Sequence, residues 1–231
     1  SKDSDFIDKI TQFNNTQNAV KISDFRSNDA VQKALVKHFE KHSYKGKKYY
    51  YKNKRDKENP RNSIVISLDE FCRLIYSFEY GPPDFYGGLK HLYDTSPDGG
   101  YFELFGDKST GDLSEEISDN RFKYLSSIYF FWEKGSKYFK EIKNDRVEQE
   151  QSKKKSSDQS PIFSKRSLEG KYLIVYVIKT ILDEILYAQN KTVKQFMTTG
   201  KFKNPNWDED EDLVETVKDI IEMACDTLIG V

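Results

Sequence analysis

The sequence predicts a mainly α fold, a multi-helix domain carrying a small two-stranded β-element near residues 48–66. Two observations set the class. Apolar residues recur at three- and four-residue spacing along most of the chain, the period of helices with one buried face. Residues 49–52 and 63–66 break that period with tyrosine and β-branched runs. A third observation sets the core: aromatics are 14% of the 231 residues, with 16 Phe and 15 Tyr, enough bulk for a real interior.

The elements follow in order. Phe6, Ile7, Ile10 and Phe13 share one helical face and deliver the chain to a polar loop at Asn14. Ser23 or Asp24 can cap a turn around Phe25. Ser27 or Asn28 then caps a helix with Val31, Ala34, Leu35, His38 and Phe39 on its apolar side, and Gly46 ends it. Residues 49–52 pair with 63–66 around the turn at Asn59-Pro60. Ser67-Leu-Asp-Glu70 reads as a capping box, and Leu68, Phe71, Cys72, Ile75 and Phe78 form the stripe of the next helix. Gly81-Pro82-Pro83 stops it. Residues 84–119 are mixed, with turns at Gly87-Gly88, Asp98-Gly99-Gly100 and Gly106, and 101–105 fit a strand or one helical turn.

Residues 121–142 form a long helix. Phe122, Leu125, Tyr129 and Trp132 lie on one face, and Tyr124, Ile128 and Phe131 on another, which marks a central helix. A Ser- and Lys-rich stretch follows, expected to be a flexible loop over 149–163. Residues 168–188 then form a helix, and Thr192 caps a short one that Gly200 ends. The final helix follows Pro205 with the stripe Leu213, Val217, Ile220, Ile221, Ala224 and Leu228. Its acidic residues at 208–212 sit at the N-terminal end, where they complement the helix dipole. The expected domains are therefore a helical region over 1–148, the loop over 149–163, and C-terminal helices over 164–231 that pack on the first region.

Composition narrows the function classes. Net charge is −1, which argues against a strongly basic nucleic-acid module and leaves only local patches. Cys72 and Cys225 sit in apolar helical patterns and read as free hydrophobes in a reducing cytoplasm. No signal peptide and no apolar run of about 18 residues is present, so no membrane span is expected. No phosphate-binding loop, nucleophile elbow or dinucleotide fingerprint occurs, so no cofactor is expected. His38 and His42 are four apart, but HFEKH lacks the metalloprotease pattern and a third ligand. Glu141-Ile-Lys143 mimics a nuclease triplet on a helix, where the chemistry needs a strand. No catalytic residue and no metal ligand is assigned.

Two polar clusters remain. The first, within residues 13–33, is dense in short amides and carboxylates. Such groups hydrogen-bond nearby backbone and build rigid polar surfaces. Its candidate binding residues are Asn14, Asn15, Gln17, Asn18, Asp24, Arg26 and Asn28. Arg26 would meet a phosphate or carboxylate; the same side chains also serve well as caps. The second is KGKKYYYKNKRDK, residues 45–57. Basic residues interleaved with aromatics suit single-stranded nucleic acid, because charge tracks the backbone and rings stack on bases. On an alternating strand Tyr49 and Tyr51 face one way, and Tyr50 faces the other with Lys48 and Lys52. The candidate nucleic-acid residues are Lys48, Tyr50, Lys52, Lys54 and Arg55; the plain alternative is a solvated edge strand whose lysines block pairing.

The pattern NNTQNAV-x-x-SDFRSND-x-x-Q, followed by YYYKNKR, resembles the AIPR family, the abortive-infection phage-resistance proteins of bacteria. The resemblance is good over residues 9–107, faint to about 146 and absent beyond. It implies a role in phage defence. It also implies that this chain corresponds to the later portion of the family, without the upstream region that resembles a nuclease in some members. Three readings follow. One is a non-catalytic binding or regulatory part that contacts DNA, RNA or a partner. Another is a region that completes the active site of a nuclease whose carboxylates lie upstream. The third is a homo-oligomerisation scaffold.

Overall fold

The computed structural model describes residues 21–54, 58–153 and 169–229. The chain enters through a short 3-10 turn, Ile22–Arg26, where Asp24 Oδ2 accepts the Lys21 backbone N–H at 2.8 Å. Helix α1 (Ala30–Phe39) follows. Its N-cap position is Asp29, beyond the Ser27 or Asn28 the sequence suggests, and no side chain caps it. Val31, Leu35 and Phe39 are buried as expected, and Gln32 is buried with them.

Gly46 does not end this helix. It serves a two-residue turn between β1 (Ser43–Tyr44) and β2 (Lys47–Lys52), which pair antiparallel. Lys45 and Gly46 have φ of 48° and 77°, the left-handed pair that matches strand twist in a tight hairpin. The expected pairing of 49–52 with 63–66 is present, between β2 and β3 (Ser63–Ser67), and β1 enlarges it to three strands in the order β1-β2-β3. The β2–β3 ladder is parallel, with Lys48 opposite Ser63, Tyr50 opposite Val65 and Lys52 opposite Ser67. Parallel pairing has a consequence. β3 runs directly into α2 (Leu68–Tyr80), so Phe71 is carried against Tyr51 and Phe39, with ring centroids 5.4 and 5.5 Å apart. A hairpin would send α2 the other way.

α2 is capped as its sequence requires: the Glu70 N–H donates to Ser67 Oγ at 3.2 Å, and Gly81 closes the helix at φ 100°. Two short helices, α3 (Gly88–Leu92) and α4 (Gly100–Phe105), lead to a two-stranded ladder of β4 (Gly106–Asp107) and β5 (Asp112–Leu113). Residues 101–105 are thus helical. The central helix α5 (Asp119–Lys153) buries every residue from Tyr124 to Trp132. It extends past the expected end near 142 into the stretch read as a loop; the rest of that stretch lies outside the described residues. α6 (Glu169–Tyr187) lies against α2, and α8 (Glu211–Ile229) against α5 and α6. The short α7 (Val193–Thr199) is held by Thr192 and Gln195, which cap each other reciprocally. One hydrophobic cluster spans Val31 to Cys225, and both cysteines are buried and free.

Candidate ligand-binding face

Strand β2 divides two environments. On its inner face Tyr49 and Tyr51 are buried. A buried phenol needs a partner, and each has one. Tyr49 donates to Glu133 Oε2 at 2.7 Å, and Tyr51 donates to Gln32 Oε1 at 2.6 Å. Gln32 Nε2 in turn donates to the Tyr101 hydroxyl at 2.8 Å. Burial pushes the Tyr51 and Tyr49 phenols up, in Tyr49 with the Glu133 carboxylate adding to it. They stay protonated donors in the physiological range.

The outer face is open. Lys48 is exposed, and Tyr50 and Lys52 are half-buried between it and the strand end. Register places Ser43, Ser63, Val65 and Ser67 beside them. The result is a surface in which one tyrosine and two lysines are flanked by three serines and a valine. A ring between two ammonium groups can stack on a base while the cations meet phosphates.

Beyond Lys52 this face runs into a cavity of about 330 Å³, lined by Lys21, Ser23, Asp24, Lys52, Asn53, Ser67, Leu68 and Asp69. The structure thereby brings Asp24 of the amide-rich segment together with Lys52 of the basic strip. The first turn of α2 forms the third wall. Asp69 is engaged elsewhere, accepting from Tyr93 at 2.8 Å and from Arg73 at 3.1 Å.

The other sequence candidates are placed differently. Arg26 pairs with Asp29 at 3.6 Å, and its guanidinium carbon sits 5.6 Å from the Tyr101 ring centroid. It supports the buried Gln32–Tyr51–Tyr101 network and does not line the cavity. Asn28 is exposed before α1, and Lys54 is half-buried past the strand. Asn14, Asn15, Gln17, Asn18 and Arg55 lie outside the described residues. His38 stacks on Phe122 with centroids 4.4 Å apart, and His42 sits between Phe122 and Phe130. Burial holds both imidazoles below their usual range, with Lys41 adding to it and, at His42, the neighbouring His38. Among the described residues no group of three or more His, Cys, Asp or Glu is placed to hold a metal ion.

Sequence reasoning missed two groups. Asn53, beside Lys52, is 7% exposed and donates through Nδ2 to the Ser27 carbonyl at 2.8 Å. Lys134 on α5 is 2% exposed. Its Nζ lies 3.0 Å from the centre of the Tyr44 ring and 3.3 Å from Glu133 Oε1, while Tyr44 donates to Asp208 Oδ2 at 2.7 Å. Desolvation lowers the Lys134 pKa against the pull of Glu133 and Asp208. This cluster ties the sheet edge to α5 and to the turn before α8. The only hint in the sequence is a lysine within the apolar run of a central helix.

Fold and face together define a helix-rich domain with a small sheet that turns a basic, aromatic surface outward. A family model described as AIPR protein matches residues 1–199, so the chain belongs to the AIPR family. Membership points to phage defence by abortive infection. The match reaches well past residue 146 and takes in α6 and α7. No curated protein and no solved structure matches the chain. Among the described residues no helix is long and apolar enough to cross a membrane.

Proposed function

We propose that this chain is a non-catalytic binding and regulatory part of a phage-defence protein, and that it engages single-stranded nucleic acid through the outer face of β2. The observation that carries this reading is the alternation of the strand. Tyr49 and Tyr51 are locked into the core, while Tyr50 stands between Lys48 and Lys52 on the opposite face, where Lys48 is exposed and the other two are half-buried. The cross-strand neighbours on that face are Val65 and three serines, which carry no long side chain to compete with a base. A strand that only protected a sheet edge would need the lysines but not the tyrosine. Here β2 is the middle strand, paired with β3 along Lys48 to Lys52 and with β1 at Lys47 and Lys48, so edge protection does not explain Lys48.

The test is titration of the protein with a labelled twelve-nucleotide single strand at several salt concentrations. Binding should be micromolar or weaker and fall with salt. The slope of log affinity against log salt should flatten by about 0.7 for each phosphate contact removed, as in Lys48→Glu or Lys52→Glu. No binding at roughly 50 mM salt, where screening is weak, rejects the reading. A salt-insensitive dimer in a sizing experiment, with no strand binding, favours a scaffold instead. Nucleolytic cleavage that appears only when a nuclease region is joined to this chain, and is lost in the Asp24→Asn variant, favours completion of an active site.

A further inference from the structure

We infer that the cavity at the end of β2 is a pocket for a single nucleotide, free or at the end of a strand; this rests on, and sharpens, the nucleic-acid reading of the neighbouring face. The walls have two chemical characters. One is cationic: Lys21 and Lys52 border the cavity together with the first turn of α2, whose leading amides and dipole favour an anion. Two carboxylates also line the cavity, and both are engaged: Asp69 is held by Arg73 and Tyr93, and Asp24 Oδ2 accepts the Lys21 backbone N–H, which leaves the two ammonium groups for a ligand.

The other character is hydrogen-bond accepting. Asn53 lines the cavity, is 7% exposed, and spends its Nδ2 on the Ser27 carbonyl. Its Oδ1 is buried with no hydrogen-bond partner among the described residues. A buried amide oxygen left unpaired is costly, so it marks a place where a donor belongs. A ligand that fits both walls carries an anionic group at one end and N–H donors at the other. A nucleotide has that form: its phosphate meets the lysines and the helix end, and an amino N–H of its base donates to Asn53 Oδ1. Inorganic phosphate satisfies only the first wall. The volume, about 330 Å³, lies at the lower end of small-ligand sites. Lys52 belongs to both the cavity and the strip, so a strand lying along Tyr50 can end in the pocket.

The experiment compares three probes on the same chain: adenosine monophosphate, inorganic phosphate, and the twelve-nucleotide single strand. Calorimetry gives the affinities, and the Asn53 side-chain amide signal in a nitrogen–proton correlation spectrum reports the base contact. The monophosphate should bind at least about tenfold more tightly than phosphate, the step expected from one added hydrogen bond to a buried group. It should shift the Asn53 signal, which phosphate leaves in place. Lys21→Ala, an exposed change, should weaken the monophosphate by about tenfold. Asn53→Ser should abolish its preference over phosphate. If the Ser variant loses its fold, the wild-type Asn53 signal and the Lys21 variant still decide. Equal affinity for phosphate and the monophosphate, or an unmoved Asn53 signal, overturns the pocket. Strand binding without monophosphate binding overturns the pocket and leaves the face. Monophosphate binding without strand binding keeps the pocket and rejects the face.

Discussion

The two faces of β2 share six residues and one backbone, yet the protein treats them oppositely. The inner tyrosines are enclosed by Phe39, Phe71 and Phe130, and their hydroxyls are satisfied by Gln32 and Glu133. The outer side chains have no such enclosure. The contrast separates two kinds of residue that look alike in a run of three tyrosines. An aromatic paired and packed is there for stability, whereas one flanked by cations on an open face is available to a ligand. Substitutions on the two faces should therefore move different measurements.

The largest expected effect is on the inner face. Tyr51→Ala should cost about 3–5 kcal/mol of stability by denaturant unfolding, from the void it leaves. The subtler Tyr51→Phe keeps the ring and strands Gln32 Oε1, and should cost about 1–3 kcal/mol. A neutral result for Tyr51→Phe would mean that the Gln32 network contributes little. Next comes the Lys134 cluster, the inner face's anchor to α5. Lys134→Met keeps the volume and removes a desolvated ammonium from the Tyr44 ring, for a loss of about 2 kcal/mol. Adding Glu133→Gln should recover part of that loss, since the carboxylate would no longer lack its cation.

A third effect is on pH. The His38 and His42 pKa values are lowered in the fold by burial. Between the folded and unfolded values the unfolded chain binds more protons, so stability is fully present above about pH 6.5 and falls as the pH drops through the folded values. Melting curves on the acid side should show this, and His38→Phe should shrink the slope. The smallest effect on stability is outside: Lys48→Glu and Lys52→Glu should change it by no more than about 0.5 kcal/mol while weakening strand binding. A large loss of stability in either would erase the difference between the faces.

How much of this was legible depends on distance along the chain. Local signals read well. Ser67 with Glu70, Thr192 as a cap, and Gly81 and Gly200 at helix ends act within a few residues, and the strand's alternation tells Tyr50 from its neighbours. Long-range pairings were hidden. β1 has two residues and exists only because β2 pairs with it. The parallel sense of β3 is set by where α2 must pack, not by residues 59–60. Tyr44 meets Asp208 across 164 positions, and no local pattern announces that. The candidate site was half legible: Asp24 and Lys52 were named in separate clusters, and their meeting required the fold. Asn53 carries no signal in the sequence, because an amide beside lysines looks like a loop residue until its burial is known.

The most direct test sets Tyr50→Ala beside Tyr51→Ala and measures melting temperature and single-strand affinity on both. The account predicts that Tyr50→Ala weakens binding by about 1–3 kcal/mol per stacked base and leaves the melting temperature within a degree or so. Tyr51→Ala should lower the melting temperature sharply. If Tyr50→Ala binds the strand as well as the unaltered chain does, or melts as low as Tyr51→Ala, the division of β2 into a structural face and a binding face is wrong.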